Sequence, residues 1–295
     1  TILCYNFIMN GEFMNIEVIN LNKDFKDFKL DNINIQIPKG KIVGLIGENG
    51  AGKTTLLKCI LGAMYPTSGT IKLFDSSNKS ILKDDIGVVF DDSFIIETYT
   101  CIDINLIMKN IYKNWDSKAF YKYLKEYKIN PRKELRKLST GMKKKVEIIT
   151  ALSHHPKILI LDEPTSGLDP IIRSEILDIF KSFVDNGKNS ILLSTHITSD
   201  LEHIADDVIF ISNGKIIFDK PLSIIKNNYI VLELTKEEFN NFNKEDIVRY
   251  KENRIDYQVL IMEKDMKNDY KKYIKNITTL DDIMLLYIRG SICAD

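Results

Sequence analysis

The sequence predicts an α/β fold in which helices cover a buried parallel sheet. Short apolar runs alternate along the chain with segments of helical periodicity, and such continuous runs are typical of strands buried on both faces. A second observation is the glycine-rich stretch at residues 47–54, which separates an apolar run from a helical segment. A third is a pair of carboxylates, Asp162 and Glu163, at the end of another apolar run.

The elements follow in chain order. The strands predicted before the glycine-rich stretch are residues 16–21, 33–37 and 41–46. A helix then runs to Gly62, and the next predicted strands are residues 70–74 and 86–90. We expect an antiparallel β subdomain beside the parallel core.

A helical insertion at about residues 91–156 divides the core. Its helical periodicity extends from about residue 101 to 153 and is broken near Asn130 and Pro131. Three more apolar runs follow, separated by helical segments, at residues 157–161, 190–194 and 208–212. This alternation returns the chain to the predicted sheet.

The two ends of the chain differ from this core. Residues 219–295 contain strand-like runs at 229–234 and 257–261, helical or looped stretches at 239–242 and 264–274, and an amphipathic helix at 281–288. They predict a small α+β accessory domain. Residues 1–13 are apolar but have neither a basic start nor a small-residue cleavage site, so we expect a non-native or disordered extension rather than a signal peptide.

Composition excludes some classes of protein. Lysine plus arginine and aspartate plus glutamate both number 41, so no global charge attracts nucleic acid or an anionic membrane. The cysteines lack metal-ligand spacing, so we expect no zinc site or disulfide framework and a reducing cytosol; they are Cys4, Cys59, Cys101 and Cys293. No apolar run approaches the ~18–20 residues that span a bilayer, so any membrane spans must come from another chain.

The glycine-rich stretch GENGAGKT fits the phosphate-binding pattern G-x-x-x-x-G-K-[ST]. Its glycines allow backbone N–H groups to face an anion, and the following helix adds its positive dipole end. Lys53 is expected to reach the β- and γ-phosphates, while the Thr54 hydroxyl holds Mg²⁺. The alternative is an ordinary glycine-rich turn. The pattern predicts a P-loop NTPase core but does not choose among kinases, GTPases and ATPases.

The carboxylates at residues 162 and 163 suit the same chemistry. Asp162 is expected to hold Mg²⁺ and Glu163 to act as general base toward a water molecule. Alone, this pair also fits a strand that ends in a solvated acidic turn. His196 ends another strand and is either structural or a contact of the γ-phosphate.

Two helix starts complete the pattern. Ser139 and Gly141 precede a helical segment, where Ser139 caps the helix or, with the Gly141 N–H, forms a second anion site. Since one chain already binds a triphosphate at residues 47–54, a second site indicates a partner subunit. Asp169 before Pro170 is a typical helix cap.

The ordered motifs at 47–54, 138–141, 158–163, 166–169 and 196 resemble those of the ATP-binding subunits of ABC transporters. The resemblance covers residues 14–218 and implies a head-to-tail dimer with two ATP molecules at the interface. It implies an ATPase, peripheral on the cytoplasmic face of the membrane, that drives a separate polytopic membrane subunit.

The resemblance also implies roles for individual residues. Lys53, Glu163 and His196 are the catalytic set, and Thr54 and Asp162 hold the metal. ATP contacts are implied for the following residues: Phe25 on the adenine (with Phe28 as the alternative), Asn49, Gly50, Ala51, Gly52, Lys53, Thr54, Thr55, Ser139, Gly141 and Asp169. Asp169 would also act across the interface.

One position departs from the family pattern. Asp91 stands where the family usually has Gln, so we expect it to bind Mg²⁺ more strongly than an amide would, whereas Asp92 is expected to be a solvated turn residue. Asp91 and residues 278–286 together resemble a subgroup of ATP-binding subunits from Gram-positive bacterial exporters, which includes exporters of antimicrobial peptides and phenol-soluble modulins. One alternative to transport is a soluble ATPase of this class that acts on nucleic acid or the ribosome. Another is a P-loop kinase or GTPase, but proteins of that kind lack a motif like the one at residues 138–141.

Overall fold

The computed structural model describes residues 14–74, 83–91, 95–274 and 276–293. The strands are β1 (Met14–Asp24), β2 (Lys29–Pro38), β3 (Ile42–Ile46), β4 (Ser68–Leu73), β5 (Ile86–Val89), β6 (Ile158–Asp162), β7 (Ser190–Thr195), β8 (Asp207–Ser212), β9 (Lys215–Pro221), β10 (Tyr229–Thr235), β11 (Ile247–Glu252) and β12 (Asp256–Met262). The helices are α1 (Lys53–Ile60), α2 (Cys101–Ile111), α3 (Ser117–Glu126), α4 (Thr140–Leu152), α5 (Pro170–Val184), α6 (Thr198–Ile204), α7 (Leu222–Asn228), α8 (Lys236–Asn241) and α9 (Leu280–Arg289).

The central sheet has the strand order β5-β6-β7-β3-β8-β9. Every strand pair in it is parallel except β8 with β9. All residues of β3, β6 and β7 are buried, as their continuous apolar sequences predict. Glycine-rich and acidic segments at the carboxyl ends of these strands therefore meet at one edge of the sheet.

The edge strand β9 adds one antiparallel strand to the predicted parallel sheet. No strand was predicted at Lys215–Pro221, which β9 occupies. Ser212 pairs with Lys215 across Asn213 and Gly214, whose φ values of 46° and 70° form a two-residue hairpin turn. An Asn-Gly pair is a strong hairpin signal, and it was overlooked.

The predicted antiparallel subdomain is the sheet β2-β1-β4. Apolar side chains of β1 and β2 share a core with β3 and α1, and examples are Ile16, Ile33, Leu45 and Leu57. This packing fixes the β1–β2 turn, which carries Phe25 and Phe28, relative to the loop that precedes α1.

The helical insertion contains α2, α3 and α4 around its own apolar cluster, which includes Ile104, Phe120 and Ile149. Thr100 caps α2 and Asp116 caps α3, each by accepting backbone N–H bonds. The break near Pro131 is present, and a second break lies at residues 112–116.

The C-terminal part is the antiparallel sheet β10-β12-β11 with α8 and α9. Strand β11 was not predicted, because its sequence shows no apolar alternation and Ile247 is its one buried residue. Leu280 and Ile283 of α9 join the apolar cluster that contains Leu193 and Phe210 of the central sheet. The Glu202 carboxylate of α6 accepts a hydrogen bond from the backbone N–H of Leu280 at 2.6 Å. The division into domains at residues 218 and 219 remains a prediction.

Residues 1–13 and Asp92, for which the sequence analysis made predictions, lie outside the described residues. In the part of the chain that is described, no helix is both long enough and apolar enough to cross a bilayer.

Candidate functional site

The glycine-rich loop joins β3 to α1 in a conformation that requires glycine. Gly50 and Gly52 have φ values of 82° and 109°, in the left-handed region. A Cβ on Gly52 would lie 2.8 Å from Cζ of Phe28 and 2.6 Å from Cδ2 of Leu30. The loop therefore packs tightly on the antiparallel sheet. It connects directly to the N-terminus of α1, whose positive dipole end stabilises an anion. Asn49, Ala51, Thr54 and Thr55 lie in this loop and the first turn of α1.

Lys53 is buried against its own loop and is 6% exposed. Its Nζ donates hydrogen bonds to the carbonyl oxygens of Gly47 at 2.8 Å and Glu48 at 3.2 Å. It also lies 3.5 Å from Oε1 of Glu163. The ammonium group thus bridges the loop and the end of β6.

Asp162 and Thr54 form a compact oxygen pair. The Thr54 hydroxyl donates to Oδ2 of Asp162 at 2.7 Å, while the buried Oδ1 has no described hydrogen-bond partner. Asp162 is 3% exposed. A buried carboxylate oxygen without a partner is costly, and a hard divalent cation would satisfy it. The residues present therefore fit Mg²⁺.

Glu163 adopts the left-handed region with φ 48°, which is rare for a residue with a side chain and clusters at functional sites. Its N–H donates to Ser194 O at 2.9 Å, which fixes it beside β7. His196 Nδ1 lies 2.8 Å from Oε2 of Glu163, and the His196 backbone N–H donates to the same oxygen at 3.3 Å. Because an ionised carboxylate only accepts, Nδ1 carries the proton in this pair, leaving Nε2 on the other side of the ring.

Ser139 and Asp169 cap neighbouring helices, as the sequence predicts. Ser139 Oγ accepts from Met142 N at 3.3 Å, and Asp169 Oδ1 accepts from Ile171 N and Ile172 N, both at 3.1 Å. A Cβ on Gly141 would lie 2.7 Å from Cγ2 of Ile172, so α4 and α5 touch where they begin. In the described chain, no hydrogen bond or ion pair joins Ser139 or Gly141 to residues 47–54.

The aromatic candidates lie in the β1–β2 turn. Phe25 is 44% exposed, and Lys23 Nζ lies 5.4 Å from the centre of its ring. Phe28 is half-buried, with its ring centre 6.1 Å from that of Phe25. Phe25 is therefore the more exposed of the two rings, whereas Phe28 packs against the loop at Gly52.

Asp91 is exposed and follows β5 at the edge of the sheet where β6 ends. Val89 pairs with Leu161, so the segments that carry Asp91 and Asp162 leave the sheet side by side. The Phe90 carbonyl accepts from Nζ of Lys144 at 3.2 Å.

Sequence reasoning missed the polar contacts that support these segments. Lys144 on α4 pairs with Glu147 at 3.0 Å, and Lys143 pairs with Glu97 at 2.5 Å. The run of three lysines at 143–145 was the available signal.

A second missed network joins α5 to α6. Arg173 forms an ion pair with the buried Asp200, which also accepts from Thr165 Oγ1 at 2.6 Å. No local sequence signal predicts a pair of residues on two different helices.

Comparison with known proteins places this geometry in context. Residues 30–166 match the family model described as ABC transporter. The lantibiotic transport ATP-binding protein SrtF of Streptococcus pyogenes is 35% identical, over 74% of this chain and 98% of its own. The bacitracin transport ATP-binding protein BcrA of Enterococcus faecalis is 34% identical, over 70% of each chain.

Solved structures agree with these relatives. The chain matches cbiO1 from Clostridium perfringens, part of an ABC transporter complex, with a TM-score of 0.63 and 29% identity over 72% of this chain and 91% of that one. A structure described as the ATP-binding subunit of an ABC transporter matches with a TM-score of 0.65 and 26% identity over the same shares. The P-loop fold is thereby confirmed, and none of these relatives supports a nucleic-acid or ribosomal ATPase.

Proposed function

Because this chain belongs to the ATP-binding subunits of ABC transporters, we propose that it powers an exporter from a composite site shared with a second ATPase subunit. Nucleotide binding and ATPase activity are those of the family. The single observation that carries the proposed chemistry is the contact of the Glu163 carboxylate with both Lys53 and His196.

Glu163 acts as general base in this proposal. Its backbone is fixed by Ser194, and Oε2 is held by two donors of His196, so the carboxylate is positioned before substrate arrives. Accepting a proton from water makes that water a stronger nucleophile toward the γ-phosphorus. Lys53 would exchange the loop carbonyls for phosphate oxygens, and His196 would offer Nε2 to the γ-phosphate.

Thr54 and Asp162 would hold Mg²⁺, with Asp91 as a further carboxylate from the neighbouring strand. When bound, the cation neutralises charge on the β- and γ-phosphate oxygens. The support is the partnerless buried Oδ1 of Asp162 beside the Thr54 hydroxyl. Phe25 would stack on the adenine.

The second subunit would contribute Ser139 and Gly141 to this site. Ser139 is exposed at the positive end of α4, so its hydroxyl and the following N–H groups suit a phosphate brought by another chain. Asp169, which caps the adjacent α5, would lie at the same interface.

A polytopic membrane subunit is the proposed partner of the helical insertion, which would hold this chain on the cytoplasmic face of the membrane. The outer side of α2 exposes Leu106, Ile107 and Ile111, which are 57%, 37% and 56% exposed, and Ile96 in the preceding segment is 54% exposed. Clustered apolar side chains on a polar protein favour a protein interface. The exporter direction rests on relatives named for lantibiotic and bacitracin transport.

The test is Glu163→Gln, which keeps the shape of the side chain but removes its basicity. We expect ATP turnover to fall by about 10²–10⁴-fold, while ATP still binds and holds two chains together. Turnover is measured by phosphate release and mass by light scattering with ATP. Glu126→Gln, on the surface of α3, is the matched control and should retain full turnover. Wild-type turnover in Glu163→Gln would refute the role.

A further inference from the structure

The helical insertion carries a concentrated positive charge in a neutral protein. Residues 113–137 contain nine lysine and arginine side chains and three carboxylates, a net charge of +6, whereas the whole chain is neutral. The remainder of the chain is therefore negative. A charge separated in this way gives one surface a field that the total charge conceals.

The positive charge lies mainly on α3 and the turn after it. Lys118, Lys122 and Lys125 follow one another at helical spacing on one exposed side of α3, and Lys128 and Arg132 continue the surface. We call these five residues the basic face. No ion pair of theirs occurs within the described residues, whereas Arg136 and Lys137 nearby both form an ion pair with Glu134.

Two residues of the basic face, Lys125 and Lys128, line a hollow of about 360 Å³. Its floor is apolar, formed by Leu124 and Ile129, and its rim carries Lys125, Lys128 and the 37% exposed ring of Tyr121. Cations around an apolar floor beside an amphipathic ring match a phosphate headgroup with adjoining acyl carbons.

We propose that the basic face binds the anionic lipid headgroups of the membrane surface. Charge complementarity is the first argument, since polybasic surfaces bind anionic leaflets. The second rests on the proposed function: the exposed apolar side of α2, in the same insertion, is assigned to the membrane subunit, which brings the basic face to the bilayer. Nucleic acid fits less well, because single strands are held by several stacking rings, and Tyr121 is the exposed ring of this surface among the described residues.

The experiment is co-sedimentation of the purified chain with vesicles of phosphatidylcholine, alone or mixed with phosphatidylglycerol. Each cation near an anionic surface strengthens binding by about fivefold, so K118Q/K122Q/K125Q should weaken partitioning to the mixed vesicles by on the order of 100-fold. Glutamine keeps the helix propensity of lysine, so α3 should persist. Added salt should weaken binding of the wild type more than that of the variant.

The matched control replaces three exposed lysines outside the insertion, K39Q/K188Q/K264Q, none of which forms an ion pair in the described structure. It should bind the mixed vesicles as the wild type does. Equal binding to both vesicle types, an equal loss in the control, or tighter binding to single-stranded DNA than to vesicles at equal phosphate concentration would overturn the proposal. ATP turnover is measured in parallel without vesicles, so a failure of the proposed function is seen separately.

Discussion

The buried pair of Lys144 and Glu147 allows a quantitative test of how the Asp91 segment is held. The Lys144 ammonium lies 3.0 Å from the Glu147 carboxylate and donates to the Phe90 carbonyl at 3.2 Å. Both side chains are 11% exposed. Replacing Lys144 by methionine keeps much of the aliphatic stem but leaves the Glu147 charge buried without its cation.

Removing one partner of a buried ion pair costs about 3–5 kcal/mol. Because both side chains are slightly exposed to water, we expect Lys144→Met to lower the free energy of unfolding by an amount near the lower value, about 3 kcal/mol. The double variant Lys144→Met/Glu147→Leu removes both charges and should be within about 1 kcal/mol of the wild type. Urea unfolding of the wild type, both single variants and the double variant gives the coupling energy.

Lys143→Met is the matched control, since Lys143 is adjacent and pairs with Glu97, which is 67% exposed. A surface pair contributes about 0–1 kcal/mol, so this variant should barely change the urea midpoint. The reasoning fails if the double variant is as unstable as Lys144→Met, or if the Lys143 variant loses as much stability as the Lys144 variant.

Three further outcomes are expected. Mixing Lys53→Ala chains with Gly141→Asp chains should restore some ATPase activity, because one composite site of a mixed dimer stays intact; mixed dimers that form without any activity would contradict the shared site. Asp91→Asn should narrow the difference in ATP affinity measured with and without Mg²⁺, because an amide holds the cation less strongly than a carboxylate does, and an unchanged difference would remove Asp91 from the metal site. Burial lowers the pKa of His154, which stacks on Tyr112 at 4.0 Å, so the unfolded chain takes up a proton first as pH falls below about 6.5. Stability should therefore decline below that pH in the wild type and decline less in His154→Gln; parallel urea midpoints across pH would refute this.

Features encoded by neighbouring residues were readable from the sequence. The helix caps at Ser139 and Asp169 bond to N–H groups two or three positions away, so their residue types indicate their structure. The apolar runs of β3, β6 and β7 also predicted strands, because both faces of these strands are buried. The ion pair of Lys53 with Glu163 was not predicted, because the resemblance placed both residues in the catalytic set without a contact between them.

Features that depend on tertiary contacts were not readable. The pairing of Arg173 with Asp200 joins two helices, and the bond from Lys144 to the Phe90 carbonyl spans 54 positions. Strand β11 has one buried residue, Ile247, and its pairing with β12 depends on the rest of its sheet. Strand β9 is a different case. Asn213 and Gly214 are a local signal for its hairpin turn, but the nearby change in composition was interpreted as a domain boundary instead.

Helix α6 lies between the central sheet and α9, and its Glu202 carboxylate accepts a hydrogen bond from the Leu280 N–H of α9. One side of this helix presses Leu201 so closely on β3 that a Cβ on Gly44 would lie 2.5 Å from the leucine Cδ1. The opposite side of α6 is covered by α9. A version of the present chain that ends before α9 should therefore aggregate through the apolar surface that α9 covers.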